Sequence, residues 1–443
     1  MRQAAASTGQ AGANRRLAAL RRALRMRFDL ERDPGVLAEA VEVGRRAVAA
    51  CHDPTRVGEH LEALGADLYT RFELIGEAAD VKEAIAIARR AIAEPAEDST
   101  RAARLNLLGL ALTARAEMAP SDELLDEAVA TLRRAVATAS ATDEDRPTYL
   151  SNLAGAMRAQ AERAGSAAMM GEAVAVAREA VVDEHADHPD RAQLLGNLSG
   201  LLVRLRQFTG RPLDLDEAVA TGRQACAATP DEDPDLATRL NILGAALSAR
   251  GERAAGEENL IEARDVLRQA VADEHHADLA MHQSNLSEVL LSLYLRGGDR
   301  GDLVEAVDVA RRAVLATATD DPECAGRLSN LASALLRRFE LEGSGADLDE
   351  AIERCRHAVA VTSERHLDHA MYQSNLGVVL MVRYEYKGGS GDLDAAIDVG
   401  RRAVERTPDD NADNAGRMAN LGVALSARFE HFGARPTSTK RSR

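Results

Sequence analysis

The residues best placed to do chemistry in this chain are glutamates that recur near the ends of successive amphipathic segments. They are Glu73, Glu117, Glu162, Glu252, Glu340, Glu385 and Glu430. Acid near a helix C-terminus opposes the backbone dipole by about 0.3–1 kcal/mol when exposed, so each copy calls for compensation. One source is arginine, since Arg71, Arg115, Arg250, Arg338, Arg383 and Arg428 each stand two residues before a glutamate. That spacing points the two side chains apart, so such pairs must bridge neighbouring segments. The other source is a basic or polar peptide received by an acidic ladder. Both readings are open on the sequence alone. Two segments, at Leu205/Gln207 and Leu293/Leu295, lose both the arginine and the glutamate, and Glu288 stands near the second of them. Such exceptions mark a partner contact or drift.

No nucleophile–base set, metal-ligand spacing or phosphate loop accompanies these acids, so neither catalysis nor a cofactor is expected. The glycines of Lys387-Gly388-Gly389-Ser390-Gly391 join two helices, and no Lys-Ser/Thr pair follows them. They read as turn residues. Histidines gather in alternate turns, at His185 and His188, at His275, His276 and His282, and at His366 and His369. The last pair has Glu364 nearby but no further ligand fixed by spacing, so no metal is assigned. All read as polar turn residues carried along when a two-repeat block duplicated. Cys51, Cys226, Cys324 and Cys355 are scattered without metal-like spacing and fit reduced thiols in a cytoplasmic protein.

What positions these residues is a repeat. Alanines seven apart recur at Ala40/Ala47, Ala84/Ala91, Ala128/Ala135, Ala173/Ala180, Ala218/Ala225, Ala263/Ala270, Ala306/Ala313, Ala351/Ala358 and Ala396/Ala403, with 43 to 45 residues between copies. A period of this size means stacked units, each burying its apolar face against its neighbours. Residues 325–361 show one unit: a helix from Ala325 to Glu340, a glycine-bearing turn, and a second helix from Asp347. Asp80, Asp214, Asn259, Asp302, Asp347 and Asp392 are expected to cap the second helices. A glutamate follows three residues on in all but the last, as in a capping box. The first helices align on Asn152, Asn197, Asn285, Asn330, Asn375 and Asn420. At about 100° per residue, Leu331, Leu335, Arg338 and Phe339 face the second helices. Leu336, Arg337 and Glu340, with Met381 and Glu385 in the next copy, are expected on a partner-binding groove.

Composition agrees. Ala, Leu, Arg and Glu dominate, aromatic residues are 3% and Trp is absent, which favours helices over a bulky core. A formal net charge of −16 argues against general nucleic-acid binding. Arg15, Arg16, Arg21, Arg22, Arg25 and Arg27 crowd the first helix and read as the solvated face of an end helix. No apolar run reaches the length of a membrane span.

These motifs resemble the tetratricopeptide repeat (TPR). Asn420-Leu421-Gly422-Val423-Ala424 matches its first helix, Asn375-Leu376-Gly377 matches part of it, and the alanine pairs match its second helix. The long period is similar to the tetratricopeptide arrays of actinobacteria, often found beside a caspase-like protease domain. Arg338-Phe339-Glu340 and Asp347-Leu348-Asp349-Glu350-Ala351-Ile352 are similar to their motifs. Only eleven residues follow Phe432, so the array is carried over and the peptidase activity is not. A HEAT-type array has a similar period and is the structural alternative.

The expected protein is therefore an all-α, right-handed α-solenoid with a period of about 45 residues. It has a disordered tail over 1–14, nine helix pairs plus a closing helix over 15–432, and a basic disordered tail over 433–443. The expected function is a non-catalytic scaffold or adaptor that binds a protein or peptide in its concave groove. The groove candidates are Glu73, Glu117, Glu162, Glu252, Glu288, Leu336, Arg337, Glu340, Met381, Glu385 and Glu430. The alternatives are a peptide-responsive regulator and a regulatory subunit of a caspase-like protease encoded on another chain. Leu421, Val423, Leu425 and Phe429 of the closing helix offer a surface for a homodimer.

Overall fold

The computed structural model describes residues 2–182, 188–209, 215–252, 256–274, 276–319, 321–364, 366, 368–407 and 413–433. Asp214, His185 and His275, and the basic segment 434–443, lie outside the described residues. The chain divides into an N-terminal half, residues 1–230, and a C-terminal half, residues 231–443.

The N-terminal half contains α1 (Arg2–Glu31), α2 (Pro34–Ala50), α3 (Pro54–Ile75), α4 (Ala78–Ala93), α5 (Asp98–Met118), α6 (Asp122–Thr138), α7 (Arg146–Ala164), α8 (Ala167–Ala180), α9 (Arg191–Thr209) and α10 (Leu215–Ala227). The C-terminal half contains α11 (Leu236–Gly251), α12 (Glu257–Ala270), α13 (Leu279–Gly297), α14 (Arg300–Leu315), α15 (Cys324–Glu342), α16 (Gly345–Val361), α17 (His369–Lys387), α18 (Ser390–Glu405) and α19 (Asn414–Gly433). No strand occurs among the described residues. Helix α1 begins at Arg2, so the segment 2–14 continues the first helix where a tail was expected. Its alanine, glutamine and arginine content and its lack of proline permit this.

Within each half, every helix packs on the next, and first helices also touch the first helices of adjacent repeats. The alanine pairs explain the close stacking: every one of them is at most 2% exposed. A methyl side chain loses no rotamer freedom on burial and lets helix backbones approach. Glycine extends the principle at Gly109 and Gly244. A Cβ on Gly109 would lie 2.3 Å from Leu132, and one on Gly244 would lie 2.5 Å from Leu267. Five first helices end on left-handed glycines, for example Gly343 (φ +69°) and Gly388 (φ +75°), which release the chain into the next helix.

The expected caps require correction. Helix α4 starts at Ala78 after Glu77, and α16 starts at Gly345 after Ser344. Asp80 and Asp347 are thus the third residues of their helices, and Asp302, Asn259 and Asp392 likewise sit inside the first turn. Side-chain caps come instead from Asp33, Ser121, Ser166 and Asp299. The displaced side chains are left to make contacts other than caps.

Candidate interaction surface

The first of these contacts is a clamp within the repeat. Arg338 on α15 forks onto Asp347 of α16, with Nε–Oδ2 at 2.8 Å and Nη2–Oδ1 at 2.6 Å. Arg383 does the same to Asp392, and Arg71 to Asp80. Arg250 binds the amide oxygen of Asn259. In each case the partners are nine residues apart. Four of the six arginines expected to neutralise the glutamates are therefore spent on the adjoining second helix, and Arg428 lies 3.7 Å from Asp394 of the preceding one. The Asp347 clamp holds the Arg338 guanidinium above its ordinary pKa through this hydrogen bond. Where Leu293 replaces the arginine, Asp302 turns to Arg264 at 3.7 Å, and burial raises its carboxyl.

Four of the glutamates read as capping-box partners have a second use, which Glu127 shares. Arg45, Arg178, Arg268 and Arg311 each fork onto Glu83, Glu217, Glu305 and Glu350 of the following second helix, and Arg89 reaches both oxygens of Glu127 through one nitrogen. A third set ties first helices together. Asn152, Asn197, Asn285, Asn330, Asn375 and Asn420 donate through Nδ2 to Asn106, Ser151, Asn241, Ser284, Ser329 and Ser374 of the preceding first helix, at 2.9–3.3 Å. The arginine ladder was missed from the sequence. Its signal was present, since an arginine stands five residues after the first alanine of every pair.

The groove candidates separate into three groups. Leu336 and Met381 are 5% and 9% exposed and belong to the hydrophobic core of the C-terminal half, together with Leu331, Leu335 and Phe339. They were expected on the groove because a single buried face was assumed. A first helix in a stack touches both its own second helix and the neighbouring repeats, so its apolar sector is wider.

The second group is acid already paired. Glu117 and Glu162 both meet Arg158, at 3.2 and 2.7 Å, and Arg204 lies 3.5 Å from Glu162. These acids edge a cleft of about 320 Å³ with Pro120, Leu125, Ala159 and Arg163. Arg337 and Glu340 satisfy one another locally at 2.7 Å. Glu288 accepts from Asn330, but the surrounding protein desolvates it and raises its pKa, with Glu252 adding to the effect. Glu73 is raised in the same way by desolvation, against the hydrogen bond from Tyr69. Glu252 ends α11 and also has an interacting partner.

The third group is Glu385 and Glu430, on α17 and α19. Both are exposed, and neither has a hydrogen bond or ion pair among the described residues.

The histidine turns are explained by their acceptors. His188, His276 and His366 take the backbone N–H two residues on through Nδ1, at 3.0–3.2 Å. The alternate turns use Asp143, Asp233 and Asp321 for the same bond, at 2.7–3.1 Å. The N-terminal arginines also have internal partners: Arg21 reaches Asp67 at 2.6 Å, while Arg25 and Arg27 pair with Asp29 and Glu31. The four cysteines are free thiols, and burial pushes Cys355 up to about 12, which makes it a poor nucleophile. On α19, Val423, Leu425 and Phe429 are exposed, whereas Leu421 is half-buried against the core. No described helix is long and apolar enough to cross a membrane.

A family model of the tetratricopeptide repeat matches residues 148–190 and 324–368. No curated protein matches the chain. Among solved structures, the chain is similar to BtubC from P. vanneervenii, at 20% identity and TM-score 0.36, over 55% of this chain and 93% of that one. It is similar to a tetratricopeptide repeat protein from Parabacteroides merdae, at 13% identity and TM-score 0.41, over 71% and 97%. It is also similar to the apo quorum sensor NprR from B. thuringiensis, at 14% identity and TM-score 0.47, over 85% and 94%. The two matched segments carry the same helix pair, buried alanines and asparagine ladder as their neighbours in each half. Residues 148–190 and 324–368 thus match the tetratricopeptide repeat, and the units beside them repeat the same helix pair.

Proposed function

We propose that this chain is a non-catalytic scaffold whose first helices hold a protein or peptide, with the acid of the C-terminal half contacting a basic segment of the partner. Tetratricopeptide arrays commonly bind proteins or peptides, and solenoids offer extended surfaces for doing so. The observation that carries the reading is the pairing of the glutamates. Those at Glu117 and Glu162 are held by arginine, whereas Glu385 and Glu430, on successive first helices, have no partner among the described residues. The net charge of −16 also favours a basic partner through long-range attraction.

The test is fluorescence anisotropy with a labelled nonapeptide of alternating arginine and serine at low salt. The full chain should bind it, and affinity should fall several-fold in the Glu385→Gln/Glu430→Gln double variant while the thermal unfolding midpoint stays unchanged. The matching glutamate–serine peptide should not bind. Equal affinity of the variant and the parent for the basic peptide would sink the assignment to these two acids.

A further inference from the structure

One turn in the C-terminal half holds more than a turn needs. His282, in the first turn of α13, is fully buried at 0% exposure, and neither of its ring nitrogens completes a hydrogen bond of good geometry among the described residues. Buried polar groups in folded proteins are almost always satisfied, and an imidazole offers two sites to satisfy. The His276 ring lies 4.8 Å away, centroid to centroid. His276, Asp278 and His282 together present ligand atoms that all fall within 4.8 Å of one another.

We propose that His276, Asp278 and His282 form a binding site for a divalent transition-metal ion of the zinc class. Two imidazoles and one carboxylate are the donors such ions take, with a further position left for water. Ligand atoms at this separation need to close by about 1 Å to meet an ion at bonds of about 2.0–2.2 Å. Asp278 stands at the N-cap of α13 and His276 in the preceding turn, so the closure involves turn residues more than helix packing. The nitrogen roles are consistent with this. His276 accepts the Asp278 N–H at Nδ1, while Nε2 lies 3.2 Å from the Thr238 hydroxyl. An ion at Nδ1 takes the place of that N–H, and Nε2–H stays on Thr238 as the orienting bond a metal-bound histidine ordinarily has.

Among their described residues, the other histidine turns lack the set. His188 and His366 make the same turn hydrogen bond, but the position six residues on is Leu194 or Tyr372 in place of a histidine. Among the described residues, this is the one group of three such donors that converges.

The full chain, stripped with a chelator and dialysed, is titrated with Co²⁺ and with Zn²⁺, followed by calorimetry and by the visible absorption of bound Co²⁺. The expected result is one ion per chain, with an absorption band intensified by low coordination. His276→Ala and His282→Phe should each weaken binding by at least tenfold, and His188→Ala and His366→Ala should not. His282→Phe tests a buried position, so His276→Ala, in the half-exposed turn, provides the decisive variant, with circular dichroism confirming its helix content. Absence of Co²⁺ binding, or affinity unchanged by His276→Ala, overturns the proposal.

Discussion

The two halves of the chain share a skeleton and differ in how they treat their acid. Both clamp the first helix to the second through arginine, at Arg71–Asp80 in one half and at Arg338–Asp347 and Arg383–Asp392 in the other. Both tie successive second helices together by arginine–glutamate forks, as at Arg45–Glu83 and Arg311–Glu350. The difference lies six residues after the ladder asparagine. In the N-terminal half that place after Asn152 is Arg158, which neutralises Glu117 and Glu162. In the C-terminal half the places after Asn330 and Asn375 are Leu336 and Met381, which sink into the core. Among the described residues, Glu385 is then left without an internal cation. At Glu385 the loss of this arginine leaves the acid available, whereas Glu340, which follows Leu336, is held by Arg337 on its own helix.

The largest expected effect tests the shared skeleton. Asp347 is 6% exposed and Asp80 is 5%, so removing either arginine strands a carboxylate away from water. Arg338→Ala and Arg71→Ala should each destabilise their half by about 3–5 kcal/mol, the usual cost of breaking a buried pair from one side. Arg250→Ala should cost less, about 1–3 kcal/mol, because Asn259 carries no charge to strand. Urea unfolding followed by hydrogen exchange resolves the halves. Equal losses at Arg250 and Arg338 would show that geometry, more than charge, sets the clamp.

The clamp also shows where the sequence was legible. The period and the alanine pairs reported the stacking directly, because burial at every pair leaves little tolerance for another residue type. Asp80 and Glu83 were misread because an acid followed by glutamate three residues on serves a cap and a pair of ladders equally well. The two roles differ only by whether the helix begins at Asp80 or at Ala78, and no residue between them marks that step. Leu336 and Met381 failed for a different reason. A helical wheel with one buried face describes a helix on a surface, whereas these helices have neighbours on several sides. The free acid at Glu385 was legible only as one of a recurring set, since its freedom depends on what other helices place nearby.

A milder substitution converts one half toward the other. Arg158→Leu places in the N-terminal half the kind of residue found at Leu336. Arg158 and Glu117 are 32% and 53% exposed, so the pairs it loses are worth less than about 1 kcal/mol. The expected outcome is a small loss of stability and a gain of a few-fold in affinity for the arginine–serine peptide, with a steeper salt dependence. If affinity does not rise, freeing the acid at this position is insufficient for binding.

The smallest effect concerns acid sensitivity in the N-terminal half. His60 on α3 is 9% exposed, and desolvation, helped by Arg56 and Arg21 and opposed by Glu59, lowers its pKa from the ordinary 6.5. Above 6.5 the imidazole is neutral in both the folded and unfolded chain and contributes no pH dependence. As pH falls below 6.5 the unfolded chain takes up a proton that the folded chain resists, so stability is lost until the folded value is reached. The loss from this one group amounts to about 1.4 kcal/mol for each unit of depression. Other groups titrate over the same range, so the measurement is a difference: hydrogen exchange in residues 54–75 between pH 7 and 5, for the parent and for His60→Leu. The variant should lose less protection than the parent on acidification, while the C-terminal half responds alike in both. An identical acid response in α3 would place the sensitivity elsewhere and remove His60 from the contrast between the halves.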